Sequence, residues 1–229
     1  MDVKYGEPLR YERKFLITDY KHQDIEQLIK FHPACFSEIF HLRTVNNIYF
    51  DSFGMNHYYD NIEGSADRVK VRIRWYGALK GNIQQPVLEY KIKKGLLGKK
   101  NSYLLNPFTL DERFDKAQIE KALQRNEIPL AIKNEMRSLT PKLLNNYERR
   151  YYLSQDKKFR ITIDFNLTYH AINYGSSTFL KTSKDYQSTV LELKYDSQFE
   201  PEAKAIANEF PFMLTKNSKY LQGLERLIL

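Results

Sequence analysis

Four cations, Arg68, Lys70, Arg72 and Arg74, stand at strict alternation in the stretch RVKVRIRWY. A β-strand sends successive side chains to opposite faces, so these four share one face while Val69, Val71, Ile73 and Trp75 share the other. A row of like charges repels itself unless an anion lies against it. Arginine dominates the row, and its planar fork meets two phosphate oxygens at once. The alternation recurs as Glu89, Lys91 and Lys93 in VLEYKIK, as Arg160, Thr162 and Asp164 in RITIDF, and as Glu192 and Lys194 in VLELKY. In LRYERKF it sets Arg10, Glu12 and Lys14 on one face, with Arg13 interrupting the other. Arg149 joins this charged set, whose only carboxylates are Glu12, Glu89, Asp164 and Glu192. A solvated sheet face interleaves signs and uses Ser, Thr and Gln freely. A face this rich in arginine reads instead as a binding surface for a long anion.

The elements that must position these residues are long strands of period two, expected at 9–17, 45–51, 68–76, 87–93, 144–153, 160–165 and 189–195. Amphipathic helices are expected at 18–31, 115–125, 131–139, 202–209 and 219–227. Strand after strand carries one apolar and one charged face. The arrangement that satisfies both is an inverted barrel: α+β in class, closed and antiparallel, with helices on its apolar outside and a cationic lumen within. No repeat, low-complexity stretch or linker divides the chain, so residues 1–229 read as a single domain. Trp75 and Phe15 are expected to pack under the outer helices.

Composition sets the bounds. The 229 residues carry 36 Lys and Arg against 28 Asp and Glu, a formal charge of +8, which favours phosphate-rich partners without naming one. The single Cys35 excludes an internal disulfide, and the five histidines show no metal-ligand spacing. No apolar run has the length of a signal peptide core or a membrane span, so a soluble, cytoplasmic chain is expected, with room for a membrane partner. KKGLLGKKNS lacks the spacing of a phosphate-binding P-loop and is expected to form either a mobile basic loop at a tunnel mouth or an ordinary solvated loop. Nucleic acid is disfavoured, because the cations are spread over many strands and no exposed aromatic platform is evident. Asp51 is expected to serve a turn, and Glu12 and Glu89 either to pair with neighbouring cations or to hold a metal.

RYERKF (10–15), NNIYFD (46–51), KVRIRWYG (70–77), LEYKIK (88–93), YERRYY (147–152), RITIDFNL (160–167), LELKY (191–195) and KNSKYLQG (216–223) follow one another in the order of a known family. The chain resembles the triphosphate tunnel metalloenzymes and, within them, the catalytic domain of the vacuolar transporter chaperone (VTC) polyphosphate polymerases. The resemblance implies a triphosphate held by Lys14, Arg72, Arg74, Lys91, Arg149 and Arg160, with Tyr147, Ser218 and Lys219 as further phosphate contacts. Arg10, Lys70 and Lys194 line the same lumen as substrate-binding cations. Glu192, with Glu12 beside it, matches the carboxylate that holds a divalent Mn²⁺ or Mg²⁺. The wider superfamily opens with E-x-E-x-K; Arg10 replaces the first glutamate here, as in the polymerase branch. The implied reaction transfers the γ-phosphate of ATP to polyphosphate and releases ADP. A hydrolase of tripolyphosphate or nucleoside triphosphates, with Glu12 or Lys14 orienting water, and a non-catalytic polyphosphate binder are the alternatives.

Overall fold

The computed structural model describes residues 10–95, 97–112, 114–172 and 179–227, with the backbone alone for Arg10, Leu97, Phe179 and Leu180. Along the described chain the elements are β1 (Arg10–Ile17), α1 (His22–Lys30), β2 (Ser37–Asp51), α2 (Asn56–Glu63), β3 (Asp67–Tyr76), β4 (Gly81–Ile83), β5 (Val87–Lys94), β6 (Leu97–Leu104), β7 (Phe108–Leu110), α3 (Lys116–Ala122), α4 (Leu130–Ser138), β8 (Thr140–Leu153), β9 (Arg160–Ile172), β10 (Phe179–Asp185), β11 (Thr189–Asp196), α5 (Glu200–Asn208) and α6 (Lys219–Leu227). The main sheet runs β1-β11-β9-β8-β2-β3-β5-β6, with β10 beside the second half of β9 and every pairing antiparallel. β4 and β7 make a separate ribbon. The expected α+β class holds. Residue 9, expected to open the first strand, lies outside the described residues.

Alternation in sequence becomes two-sided burial. Val71, Ile73 and Trp75 of β3, Leu88 and Tyr90 of β5 and Ile48 and Phe50 of β2 pack under α3, α4 and the β4–β7 ribbon. Phe15 and Ile17 of β1, Ile161 and Ile163 of β9 and Leu191 and Leu193 of β11 pack under Ile25 and Ile29 of α1 and Ala203, Ile206 and Ala207 of α5. Each large apolar side chain buried this way contributes roughly 1.5–3 kcal/mol. Trp75 and Phe15 are packing residues, 2% and 1% exposed. Arg13, the exception on this apolar side, donates to the Tyr195 hydroxyl at 3.0 Å and pairs with Glu200 at the start of α5, so the break in the pattern fastens a helix.

α6 lies on the other face. Its Tyr220, Leu224 and Leu227 pack on Val45, Tyr49, Leu143, Tyr147, Leu167 and Tyr169, the inward partners of the alternation, and so cover one end of the concave side. Gly223 permits the approach: a Cβ there would collide with Leu143 and stand 2.6 Å from Tyr169 Cδ1. Tyr220 donates its hydroxyl to Asp51 Oδ2 at 2.5 Å, and its ring stacks on Tyr49. Asp51 also accepts from the backbone N–H groups of Ser52, His57 and Tyr58, which adds a cap on α2 to the turn role expected of it.

Among the described residues the backbone ladder runs as an open path, where a closed barrel was expected. Among the described residues β1 and β6 are its two ends. The edge of β1 that would complete a cylinder is already bonded: Thr215 N donates to Lys14 O, and Leu16 N donates to Thr215 Oγ1, each at 2.8 Å. β6 carries exposed Lys99 and Lys100, as edge strands do. The curl is nevertheless tight enough for side chains to bridge the gap. Lys91 Nζ of β5 stands 3.0 Å from Glu12 Oε2 of β1, although five strands separate them in the ladder. KKGLLGKKNS is a second correction: it is the β5–β6 hairpin, with Lys94 opposite Leu97 and Gly95 at φ 57° in the turn. Its second strand, LGKKNSYL, carries mostly lysine and polar residues and gives no apolar alternation to read.

Candidate functional site

The concave face collects Lys14 of β1, Lys70, Arg72 and Arg74 of β3, Lys91 of β5, Lys100 of β6, Arg149 of β8, Arg160 of β9, Lys194 of β11 and Lys219 of α6. Against these ten cations stand Glu12, Glu89, Asp164 and Glu192. The carboxylates divide the cations into two groups. In the first, Arg72 Nε lies 2.7 Å, Lys100 Nζ 2.9 Å and Arg74 Nη1 3.6 Å from Glu89. In the second, Lys14 Nζ bridges Glu12 and Glu192 at 2.9 Å each, and Lys194 Nζ lies 2.9 Å from Glu192. Arg149 forks onto Asp164, with Nη2 2.6 Å from Oδ2, and Lys219 Nζ reaches the same oxygen at 2.6 Å. Glu12 and Glu89 are each ion-paired, the first of their two sequence alternatives, and Glu12 shares Lys14 with Glu192.

Polar groups complete the walls. Arg74 Nε donates to Asn47 Oδ1 at 3.1 Å, and Asn47 donates to Asn145 at 2.9 Å. Arg72 donates to the Tyr49 hydroxyl at 3.3 Å. Tyr147 lies beneath Arg149 and Lys219, 5.3 and 4.8 Å from its ring centre. Asn145 Nδ2 and Thr162 Oγ1 are buried without a protein partner among the described residues, and Thr162 faces Glu192 across the ladder. α6 brings Ser218 and Lys219 to this face through its anchors on Asp51, Tyr49 and Leu143.

Charge states follow from these contacts. Burial and Glu192 push the Glu12 carboxyl up, but Lys14, Lys91 and Lys194 outweigh them and hold it at about 2. Burial would also raise Glu192, Asp164 and Glu89; the cations around each hold them below the usual carboxylate range. Burial pulls Lys14 down, and Glu192 and Glu12 more than restore it. Lys70 is different. Its ammonium meets the Ser218 hydroxyl at 2.9 Å and no carboxylate among the described residues. Burial, then Lys14, Lys91, Arg68 and Arg72, bring it down to about 7. Apart from exposed Arg160, it is the one cation of this face that meets no carboxylate among the described residues.

The site therefore unites Lys14, Lys70, Arg72, Arg74, Lys91, Tyr147, Arg149, Lys194, Ser218, Lys219, Glu12 and Glu192. Arg160 shares the face but is exposed at its rim, with no ion pair among the described residues. Arg10 opens β1 opposite Asp196; its side chain lies outside those described. Arg68 turns away, donating to Ser65 O at 2.9 Å, so the row of four acts as three. Sequence reasoning missed Lys100, Asn47 and Asn145. The adjacent NN in NNIYFD and in LLNNYERR was the available signal for the last two, since polar pairs inside apolar strands need a reason.

The VTC domain model matches residues 9–228. The chain belongs to the VTC domain family. Solved structures agree in fold. A candidate adenylate cyclase from Vibrio parahaemolyticus covers 94% of this VTC domain chain and 97% of its own at TM-score 0.54 and 10% identity. A candidate adenylyl cyclase from Hippeastrum, described as revealing a dominant triphosphatase activity, covers 96% and 98% at TM-score 0.55 and 13% identity. A protein from Pyrococcus horikoshii covers 94% and 96% at TM-score 0.51 and 13% identity. No curated protein matches the VTC domain chain. No helix among its described residues is long and apolar enough to cross a membrane.

Proposed function

We propose that this VTC domain, acting as one unit over residues 1–229, is a polyphosphate polymerase that moves the γ-phosphate of ATP onto a polyphosphate chain and releases ADP. The observation that carries the reading is the division of the concave cations between two sets of carboxylates, Arg72, Arg74 and Lys100 on Glu89, and Lys14, Lys91, Lys194, Arg149 and Lys219 on Glu12, Glu192 and Asp164. A polymerase holds two polyanions end to end, and cations set before they arrive lower the cost of bringing them together. A hydrolase has one anion to hold, and a triphosphate carries roughly four to five charges against a surplus of six cations here.

Phosphoryl transfer passes through a loose transition state, in which positioning and charge neutralisation supply most of the catalysis. Arg72, Arg74 and Lys100 clamp one anion; Lys14, Arg149, Lys194 and Lys219 clamp the other. Lys91, paired with Glu12, joins the second clamp, and Lys70, beside Ser218, adds a charge that no carboxylate among the described residues offsets. A terminal phosphate oxygen of the acceptor attacks the γ-phosphorus in line. The bond from that phosphorus to its β-bridging oxygen breaks, and the electron pair leaves with ADP. The attacking oxygen is already an anion, so no base is required. Arg160, at the rim, meets the outermost phosphate, and Arg10 serves the same chain from the start of β1.

Glu12 and Glu192 are suited to a divalent cation: both are ionised, both offer hard oxygen, and both reach one ammonium at 2.9 Å. Among the described residues no third His, Cys, Asp or Glu joins them, so the remaining ligands would be phosphate oxygens and water, as hard cations accept. Bound Mn²⁺ or Mg²⁺ supplies charge neutralisation at phosphate oxygens. Purified protein incubated with ATP and either ion, followed by gel analysis and assays of ADP and orthophosphate, tests the proposal. Polymer matched by ADP supports it; orthophosphate matched by ADP replaces it with a triphosphatase, and no turnover with retained polyphosphate binding replaces it with a binder.

A further inference from the structure

One pleat beyond the phosphate clamps, arginine gives way to aromatic residues on the same face. β3 steps from Arg74 to Tyr76, and β8 steps from Arg149 to Tyr151. Between them, on β2, the Arg43 guanidinium carbon lies 4.2 Å from the ring centre of Phe40, 5.5 Å from that of Tyr151 and 5.6 Å from that of Tyr76. Phe40 meets Tyr151 edge to face at 5.4 Å. Phe40 is 42% and Tyr76 51% exposed, whereas Tyr151 is buried beneath them. Arg43 has no carboxylate partner among the described residues, so its plane is held by rings alone.

We infer that Phe40, Arg43 and Tyr76 form a stacking platform for the nucleobase of the phosphoryl donor. The inference rests on the proposed use of a nucleoside triphosphate and adds the recognition of its base. Tyr151 ties the platform to the phosphate site, since the Arg149 guanidinium also lies over its ring, 5.8 Å from the centre. Two residues along a strand span about 7 Å. That is the order of the gap a ribose leaves between a nucleotide's phosphates and its base. Aromatic rings and a guanidinium plane present π-faces without directional hydrogen bonds, so the platform accepts any base, purines most strongly by area. An inorganic polyphosphate has no group to use it. The rim thus separates the donor, which carries a base, from the acceptor, which does not.

The test is calorimetric binding of ATP and of inorganic tripolyphosphate to wild type and to the Phe40→Ala/Tyr76→Ala variant. Both residues are exposed, so folding is expected to survive, and circular dichroism checks it. Loss of two stacking faces is expected to weaken ATP about tenfold and leave tripolyphosphate unchanged. Tyr76→Phe, which keeps the ring, is expected to bind ATP like wild type. If wild type binds tripolyphosphate and the variant binds ATP as wild type does, the platform is refuted while the phosphate reading stands. Equal losses for both ligands also refute it, since the change then acts on the clamp. Wild type that binds neither ligand refutes both.

Discussion

Replacing Lys70 with Met should change how triphosphate binding depends on pH. In the free protein this ammonium titrates at about 7, because burial and four neighbouring cations oppose its charge. An anion laid against it favours the charged form and lifts that value. Below pH 7 Lys70 is already charged and affinity is full. Above pH 7 binding must take up a proton, and each unit costs up to about 1.4 kcal/mol, a factor of ten. From pH 6.5 to 8.5 the charged fraction of the free form falls by about twentyfold, and affinity should fall with it. Tripolyphosphate titrates as well, near pH 6 for a terminal phosphate, but identically for wild type and Lys70→Met, so the difference isolates the lysine. Titration calorimetry at pH 8 in two buffers of unlike ionisation heat should find close to one more proton taken up by wild type. Stability moves in the matching direction. A lysine held below its unfolded value destabilises the fold fully below pH 7 and not at all above about 10.4. Unliganded Lys70→Met should therefore be more stable than wild type at pH 6.5, by about 1–2 kcal/mol after solvent screening, with the advantage fading towards pH 10. Equal proton counts and parallel pH profiles for the two proteins would refute the reasoning.

Glu192→Gln should reduce turnover by at least about a hundredfold while tripolyphosphate binding in the absence of metal stays intact or tightens, because Lys14 and Lys194 are then released towards the ligand; unchanged turnover would remove Glu192 as the metal carboxylate. Gly223→Ala should destabilise the protein by about 2 kcal/mol, or several degrees in Tm, and weaken triphosphate binding, since the added methyl drives α6 and its Lys219 away from Leu143 and Tyr169; a thermal melt identical to wild type would show that the helix shifts without cost.

The charged face was legible because strand periodicity is local. Val71, Ile73 and Trp75 against Lys70, Arg72 and Arg74 need only β3 to be read, and the strands at 87–93, 160–165 and 189–195 were found in the same way. β6 was not, because LGKKNSYL keeps its polar residues as an edge strand, and α2 was not, because its N-terminus is capped by Asp51 from the preceding strand rather than by its own sequence. The position of α6 was also hidden. Tyr220, Leu224 and Leu227 mark an apolar stripe, yet nothing local says that the stripe meets the concave side of the sheet. Lys219 and Ser218 entered through family resemblance alone. Closure was not legible for a related reason: inward charge on many strands requires a curled sheet, but how its last edges pair is set by distant contacts such as those of Thr215 with the free edge of β1.

³¹P NMR of the first turnovers of ATP with Mg²⁺, with and without short polyphosphate, shows directly whether the transferred phosphate ends in a phosphoanhydride. For a polymerase, ADP formation is expected to accelerate when acceptor is added and the γ-phosphate signal to move into chain resonances, with little orthophosphate. Orthophosphate appearing from the outset at the rate of ADP, with added polyphosphate acting only as an inhibitor, would contradict the polymerase reading.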